Sequence, residues 1–500
     1  MQAIETPDHR PFWRWDDVRG RDGVSSAVPR DFGYTLAVAF VALLPRLFVA
    51  VAWAGEPVWD GHYYHFGATR IAEGLGYSED VMVDGHPVWK PWAHYPVGYS
   101  ALLALAYRVF GSGLTVAPLV NALVGTLLVV VVHRLARYGL SESRARLAAG
   151  LVALHPGLIS YCAVIMTEQL AALLVLAVIW GFVAFRRGWV AALGGGVLLG
   201  LTVLVRPATL LMGPVLAVAR RRSLPKALAA AAGATAVAVL VVLPWTVRNC
   251  RVMDGCAFVS TNAGWNLAIG AISRTGRFEA LHASDGCPVV TGQVQQDGCW
   301  MKVALSRIRR DPIAWVRLAP KKLSQTYVHE SFPINYLQQA NPEEWSDARS
   351  QAGRDLLTWI HRLLTMIAGL CVIAFPDPRR MSRGAITLQA VLALGLLTSA
   401  VWAVVAHDDT PFYVVPTVLP VLALLPLPGR PRLGPVIRGL LGLVAATTLT
   451  HAVFFGDDRY HLVISPALCI LAAAAWRPSS PRRPGTAVAF ATALGSSARA

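Results

Sequence analysis

Residues 33–64 read GYTLAVAFVALLPRLFVAVAWAGEPVWDGHYY. The first part, 33–54, stays apolar for longer than the ~20 residues a helix needs to cross about 30 Å of hydrocarbon. The second part turns polar and aromatic at Trp59-Asp60-Gly61-His62-Tyr63-Tyr64. The segment before the span, 1–32, is polar and carries Asp8, Asp16, Asp17 and several arginines, so it reads as a cytoplasmic N-terminal segment rather than a cleavable signal. Asp60 then lies just past the first span on the external side.

The same reading extends to the whole chain. Hydrophobic residues make up 55% of the 500 positions, charged residues 15%, and mean hydropathy is +0.49. That excludes a soluble partition of core and surface and predicts an all-α polytopic membrane protein. The net charge of +16 does not imply nucleic acid, because the basic residues gather in short turns between apolar runs.

Apolar runs bounded by charge or proline predict about twelve transmembrane helices: 33–54, 114–133, 145–160, 166–185, 189–205, 207–219, 227–245, 359–376, 384–406, 411–428, 436–455 and 461–476. Arg134, Arg137, Arg144 and Arg146, then Arg186 and Arg187, then Arg220 to Arg222 with Lys226 mark cytoplasmic turns. Arg379, Arg380 and Arg383, then Arg430, Arg432 and Arg438, then Arg477, Arg482 and Arg483 continue that phase. Residues 97–110 are apolar but too short to span and read as an interfacial or re-entrant helix.

Two large external loops with short interfacial helices follow, at 55–113 and 246–358. They divide the chain into a transmembrane module at 33–245, the second loop, a C-terminal module at 359–476 and a cytoplasmic disordered tail at 477–500. Cys250, Cys256, Cys287 and Cys299 all fall in the second loop, where an oxidising compartment permits disulfides. Short loop closure favours Cys250 with Cys256 and Cys287 with Cys299; the spacing lacks the close CxxC pairs of a zinc site. Cys162, Cys371 and Cys469 read as packing residues.

Chemistry-bearing side chains cluster at outer helix ends. Asp60 is read either as an N-cap or as a general base, with Asp84 and Glu56 as fallbacks. Glu168 in Met166-Thr167-Glu168-Gln169 opens a helix where an acid suits the macrodipole. Arg206-Pro207, Pro244-Trp245 with Arg248-Asn249, and Asp457-Asp458-Arg459-Tyr460 place three arginines where a lipid phosphate would lie. Asn262, Gly264, Asn266 and Gly270 suit tight turns with open backbone N–H groups. His407-Asp408-Asp409 and Asp457-Asp458 admit a divalent cation, yet acids at helix starts are commoner and the sequence requires no metal or other cofactor. Arg46 is the charge inside a span and must snorkel or meet an internal partner.

The order of these motifs resembles the C-type glycosyltransferases, specifically glycosyltransferase family 39 with the protein mannosyltransferases and the lipid A aminoarabinose transferase. The resemblance rests on Asp60, Tyr95-Pro96-Val97-Gly98-Tyr99, Thr167-Glu168, Arg206-Pro207, Pro244-Trp245 with Arg248-Asn249, Asn262 to Gly270, and Arg459-Tyr460 with Pro466. It implies the C-type glycosyltransferase fold and transfer of a sugar, a hexose such as mannose, from a polyprenyl-phosphate donor with inversion on the external side of a plasma or inner membrane. It also implies Asp60 as the base. Val97 stands where a second proline is usual, and the first loop has one Asp rather than an Asp-Glu pair, so the acceptor stays open among lipid, glycan and protein.

On that reading Arg206, Arg248 and Arg459 stabilise the leaving lipid phosphate. Glu168, Tyr460, Tyr63, Tyr95, Asn262 and Asn266 complete the substrate-binding set, with the loop aromatics excluding water. The rivals are a polyprenyl-lipid or solute transporter or flippase, which would carry ionisable residues near mid-bilayer, and an assembly protein, which needs no convergent Asp and Arg.

Overall fold

The computed structural model describes residues 28–185, 187–219, 223–288, 292–373, 382–405, 410–424 and 433–475. The readings for 1–27, for the tail at 477–500, for His407-Asp408-Asp409, for the Cys371 side chain and for Arg186, Arg220 to Arg222, Arg379, Arg380, Arg430 and Arg432 lie outside the described residues.

Helix α1 (Val28–Ala52) shows how an apolar sequence selects its environment. Leu36, Phe40, Leu44 and Phe48, four residues apart, form an exposed stripe, while Val38, Ala42, Arg46, Val49 and Ala50 are buried on the opposite side. An outward row of large apolar side chains suits lipid, and α1 packs its other face on α4 (Val116–Arg137). Between these helices lie α2 (Asp60–Ala72), a hairpin of β1 (Ser78–Val83) and β2 (His86–Pro91), and α3 (Val97–Phe110).

The first half continues with α5 (Glu142–Ala153), α6 (Pro156–Ser160), α7 (Glu168–Ala184), α8 (Gly188–Val205), α9 (Met212–Val218) and α10 (Leu224–Val252). The expected second loop, 246–358, folds into α11 (Ala263–Ile272), α12 (Gln293–Arg310), α13 (Pro312–Arg317), α14 (Ala319–Tyr327) and α15 (Phe332–Ala340). The chain closes with α16 (Asp347–Ile373), α17 (Arg383–Val405), α18 (Val414–Leu424), α19 (Pro435–Val453) and α20 (Ser465–Ala475). Helix α20 joins the two halves by packing on α16 and α5.

Among the described residues, six helices are long and apolar enough to cross a membrane: Phe32–Ala52, Val116–Arg137, Gly188–Val205, Leu224–Val252, Arg383–Trp402 and Pro435–Val453. The chain is thus a multi-pass helical membrane protein, with shorter apolar helices at Val97–Phe110, Glu168–Ala184, Pro207–Val218 and Ser465–Ala475 among them. Four expected spans differ from single helices: 411–428 and 461–476 open in the 3-10 segments Thr410–Tyr413 and Asp458–Val463, and two others depart further. The run 145–160 breaks between α5 and α6, because Pro156 occupies the first turn of α6 and the preceding His155 adopts an extended conformation, as a residue before proline prefers. The run 207–219 starts as a 3-10 turn at Pro207–Leu211 before becoming α9.

Arg46 explains how the break at α5 is tolerated. Its guanidinium donates to the carbonyls of Val152 (2.9 Å) and Ala153 (2.8 Å) at the end of α5, and to Ala42 (2.8 Å) within α1. The terminal carbonyls of a helix need partners, and the cation at that end also complements the helix dipole.

The hairpin adds a small sheet to the expected all-helical fold. Val83 pairs with His86 across the two-residue turn Asp84-Gly85, whose φ values are 49° and 80°. An Asp-Gly pair with both residues left-handed is the usual requirement of a tight hairpin. Arg70 of α2 fixes the hairpin through a two-pronged contact with Asp80 at 2.8 and 2.9 Å.

In the second loop Cys250 is paired with Cys256 (Cα–Cα 4.1 Å) and Cys287 with Cys299 (5.9 Å), while Cys162 and Cys469 are free and buried. Helices α8 and α10 approach closely at Gly196 and Gly200, where an added Cβ would stand 2.6 Å from Val237 and 2.6 Å from Val241 respectively. Small residues four apart permit this contact between membrane helices. Gly200→Leu is therefore expected to lower the thermal stability of the detergent-purified protein by about 1–3 kcal/mol, the usual cost of overpacking. An unchanged melting temperature would show that α8 and α10 separate without loss.

Candidate active site

Asp60 is the first residue of α2, after Trp59, whose φ of 50° is left-handed and rare for a bulky side chain. The Trp59 ring packs on Phe332 (5.5 Å) and Tyr336 (5.9 Å), which holds this turn against α15. The Asp60 carboxylate is engaged away from its own helix: Oδ1 accepts from the Tyr95 hydroxyl at 2.7 Å and Oδ2 from Arg459 at 2.6 Å. Its side chain remains 24% exposed, so an incoming molecule can reach a carboxylate that two donors already orient.

Tyr95 sits just before α3, beside Tyr63 (5.5 Å), Tyr64 (5.3 Å) and Trp92 (5.7 Å). Tyr63 is 46% exposed and stacks on both Trp92 and Tyr95, forming an aromatic rim next to Asp60. Arg459 comes from a 3-10 segment, Asp458–Val463, between α19 and α20. Its guanidinium lies over Phe332 (5.2 Å) and Tyr460 (5.0 Å).

The Tyr460 ring is shared. Arg206, at the end of α8, lies 5.2 Å over it while pairing with Glu168 at 3.0 Å. The two guanidinium groups are therefore within about 10 Å of one another across one aromatic plate. Glu168 is buried at the start of α7, and its second oxygen has no hydrogen-bond partner. Asp60, Tyr63, Tyr95, Glu168, Arg206, Arg459 and Tyr460 thus form a connected constellation.

Arg248 is placed elsewhere. It donates to the carbonyls of Tyr77 (2.6 Å) and Trp92 (3.0 Å) and lies 4.8 Å over Trp245, so its donors tie the segment between α2 and α3 to α10. Asn262 precedes α11 and accepts from Ser260 Oγ at 2.8 Å, and Asn266 lies within α11. The first amides of that helix go to Asp297, which accepts from Gly264 (2.7 Å) and Trp265 (3.2 Å). Asp84 is in the hairpin turn, and Glu56 is exposed between α1 and α2.

Sequence reading did not single out Tyr64, Phe332 or Tyr336, which line the same site. The last two stand four apart on α15, a spacing that places them on one helix face.

Burial pushes the Asp60 carboxyl up, but Arg459, the Tyr95 hydroxyl and His94 outweigh it and hold the group below the usual carboxylate range. Asp457 goes the other way. Burial raises it to about 6, opposed by Arg459 and reinforced by Asp458. Arg459 is thus engaged first with Asp60.

Residues 94–247 match the family model described as dolichyl-phosphate-mannose-protein mannosyltransferase. The resemblance to family 39 of the C-type glycosyltransferases is thereby shown over a segment that holds Tyr95, Glu168 and Arg206, while Asp60, Arg248 and Arg459 lie outside it. No curated protein matches the chain. Among solved structures, one that is similar is the archaeal oligosaccharyltransferase AglB from Archaeoglobus fulgidus, in complex with an inhibitory peptide and a dolichol-phosphate. Identity is 15% and the TM-score 0.35, over 90% of this chain and 56% of that one. A second is ArnT from Cupriavidus metallidurans bound to undecaprenyl phosphate, at 16% identity and a TM-score of 0.36, over 89% of this chain and 77% of that one. This chain therefore spans just over half the length of the first.

The raised Asp457 yields a pH signature. Its folded value lies above the ordinary carboxylate value, so the native state holds a proton that the unfolded state has lost, and stability falls as pH rises from about 4 to about 6. Asp457→Asn keeps the side-chain oxygen that accepts from the Arg459 amide (3.2 Å) and removes the charge. We expect the variant to melt a few degrees above wild type at pH 7 and together with it at pH 4. Parallel melting curves across that range would show that Asp457 does not titrate there.

Proposed function

We propose that the chain is an inverting membrane glycosyltransferase that moves a sugar, a hexose such as mannose, from a polyprenyl-phosphate donor to an acceptor on the external side of the plasma or inner membrane. The observation that carries this reading is the accessible Asp60 carboxylate, oriented by Tyr95 and Arg459 beside a second arginine, Arg206. On this reading the loops at 55–113 and 246–358 form the external face of two membrane modules, 33–245 and 359–476, and the acceptor is a lipid, a glycan or a protein.

The chemistry follows from charge. The acceptor hydroxyl attacks the anomeric carbon as Asp60 takes its proton. The bond from that carbon to the phosphate oxygen breaks, and its electron pair leaves on the lipid phosphate. A phosphate leaving group needs positive charge more than a proton, which Arg206 and Arg459 supply in a site of reduced dielectric. Arg459 has a second effect. While it pairs with Asp60 it weakens that carboxylate as a base; a donor phosphate that draws the guanidinium toward itself restores basicity when the sugar is in place. Tyr63, Tyr95 and Trp92 shield the anomeric centre from water.

Arg248 takes a positioning role on this reading, holding the loop that carries Tyr95. The transporter alternative needs ionisable groups engaged with cargo near mid-bilayer. Arg46, the charge within the first span, instead donates to the carbonyls of α5, which supports the transferase reading.

The test is transfer by the purified protein from a panel of polyprenyl-phosphate sugars, with the product anomer read by NMR. Asp60→Asn is expected to retain donor binding and lose turnover by ~10²-fold or more, because the amide cannot accept the proton. Turnover within a few-fold of wild type would rule out Asp60 as the base. Arg206→Ala and Arg459→Ala are expected to weaken donor binding, with partial rescue by lysine, which keeps the charge and loses the two-pronged geometry. Arg248→Lys should instead preserve donor affinity; its loss would return that residue to the phosphate site.

A further inference from the structure

Beneath Arg459 lies a second cluster that the transferase chemistry does not use. Glu330, His361 and His461 are all buried, at 2%, 0% and 0% exposure, and one ligating atom from each lies within 4.8 Å of the others. They come from the turn between α14 and α15, from the middle of α16 and from the 3-10 segment before α20. Neither oxygen of the Glu330 carboxylate has a hydrogen-bond partner, and the same is true of His361 Nδ1 and His461 Nε2. Four such atoms converging in a buried place call for a ligand, since an unsatisfied buried carboxylate is costly.

The tautomers are fixed from behind. His361 Nε2 is 2.8 Å from the Tyr327 carbonyl and His461 Nδ1 is 2.7 Å from the Thr326 carbonyl. A carbonyl only accepts, so each of those nitrogens carries the hydrogen. The remaining nitrogens, His361 Nδ1 and His461 Nε2, present lone pairs toward Glu330 Oε2 at 3.8 and 3.5 Å. Imidazole that donates one N–H to a backbone carbonyl and turns its other nitrogen inward is the arrangement that orients metal-ligating histidines.

The spacing agrees with an ion between the groups rather than with direct bonds. Separations of 3.5 and 3.8 Å exceed good hydrogen bonds. Ligands held at about 2.0–2.1 Å around a tetrahedral ion lie roughly 3.3–3.4 Å apart, so a closure of these three groups, which lie within 4.8 Å of one another, brings them to ligand spacing and leaves the fourth position to a water. On one side, a side chain at Gly157 would occupy the space of Glu330 Oε1, which packs the carboxylate against α6. Two imidazoles and one carboxylate form a donor set suited to zinc, whereas magnesium and calcium prefer oxygen ligands.

We propose that Glu330, His361 and His461 form a buried binding site for a divalent transition-metal ion, zinc by its donor set, which acts as a structural staple. Its consequence for the site above is local. His461 is two residues after Arg459, and Asp458, the residue just before Arg459, accepts from Ser331 Oγ (2.7 Å) and from the Phe332 amide (3.0 Å). The ion and these bonds together fix the segment that presents Arg459 to that which presents Phe332.

The experiment uses the full chain purified without a polyhistidine tag. Elemental analysis should find about one zinc per chain, and Co2+ exchanged into the chelator-treated protein should give the visible absorption of a tetrahedral nitrogen and oxygen site. Chelation should lower the melting temperature and added Zn2+, but not Mg2+, should restore it. Glu330→Gln, similar in size, should weaken zinc binding by at least ~10²-fold and abolish the response to Zn2+. Wild-type protein that carries no zinc and whose melting temperature ignores both chelator and Zn2+ would overturn the proposal, since a proton then satisfies the cluster. Equal zinc affinity in wild type and Glu330→Gln would overturn it as well. The wild-type chelation arm decides even if a variant fails to fold, and it reads no transfer activity.

Discussion

The ion pair between Asp60 and Arg459 joins residues 399 positions apart, and the site around it depends on that closure. Taking two charges largely out of water is expensive, and their attraction offsets the cost only when geometry and neighbouring hydrogen bonds are good. Here the neighbours meet that requirement: Tyr95 donates to the free oxygen of Asp60, and Arg459 is sandwiched near Phe332 and Tyr460. Elements from the first loop, the second loop and the C-terminal helices thus meet at one pair. Removing either partner strands the other, so the constraint is cooperative rather than a sum of contacts.

Four arginines are separated by what accepts their hydrogen bonds. Arg46 and Arg248 donate to backbone carbonyls and hold segments in place. Arg206 and Arg459 are paired with carboxylates and lie over one tyrosine ring. A carbonyl dipole does not compete with an incoming anion by carrying charge, but a carboxylate does. On the proposed reading the second pair exchanges one anion for another, while the first pair ties segments together.

Much of the helical fold is legible because membrane helices must be long, continuous and apolar. Asp60, Tyr95, Arg206 and Arg459 stand at the ends of such runs, which is how the sequence exposes them. Breaks are harder to see: Pro156 is one proline among 32, and only the partners of the freed α5 carbonyls show why a break there is stable. The hairpin had a signal in Asp84-Gly85 between alternating residues, but a composition dominated by helices hid it. Arg248 was read with the phosphate ligands because position alone cannot say whether a guanidinium meets a carbonyl or an anion. Glu330, His361 and His461 have no sequence spacing in common, so their convergence comes from tertiary packing alone.

Arg46 also sets an order of events during synthesis. Its carbonyl partner on Ala153 is made 107 residues later, which at a chain growth of about 5–20 residues per second is roughly 5–20 s after Arg46 itself. Until then α1 holds a cation within its apolar span with no α5 to receive it, a burden of about 2.5–3.5 kcal/mol for an arginine at the centre of an isolated helix. The first helix therefore enters the bilayer incompletely satisfied and is finished by a segment not yet translated. The nascent chain thus passes through a stage, absent from the mature protein, in which Arg46 lacks two of its three carbonyl partners.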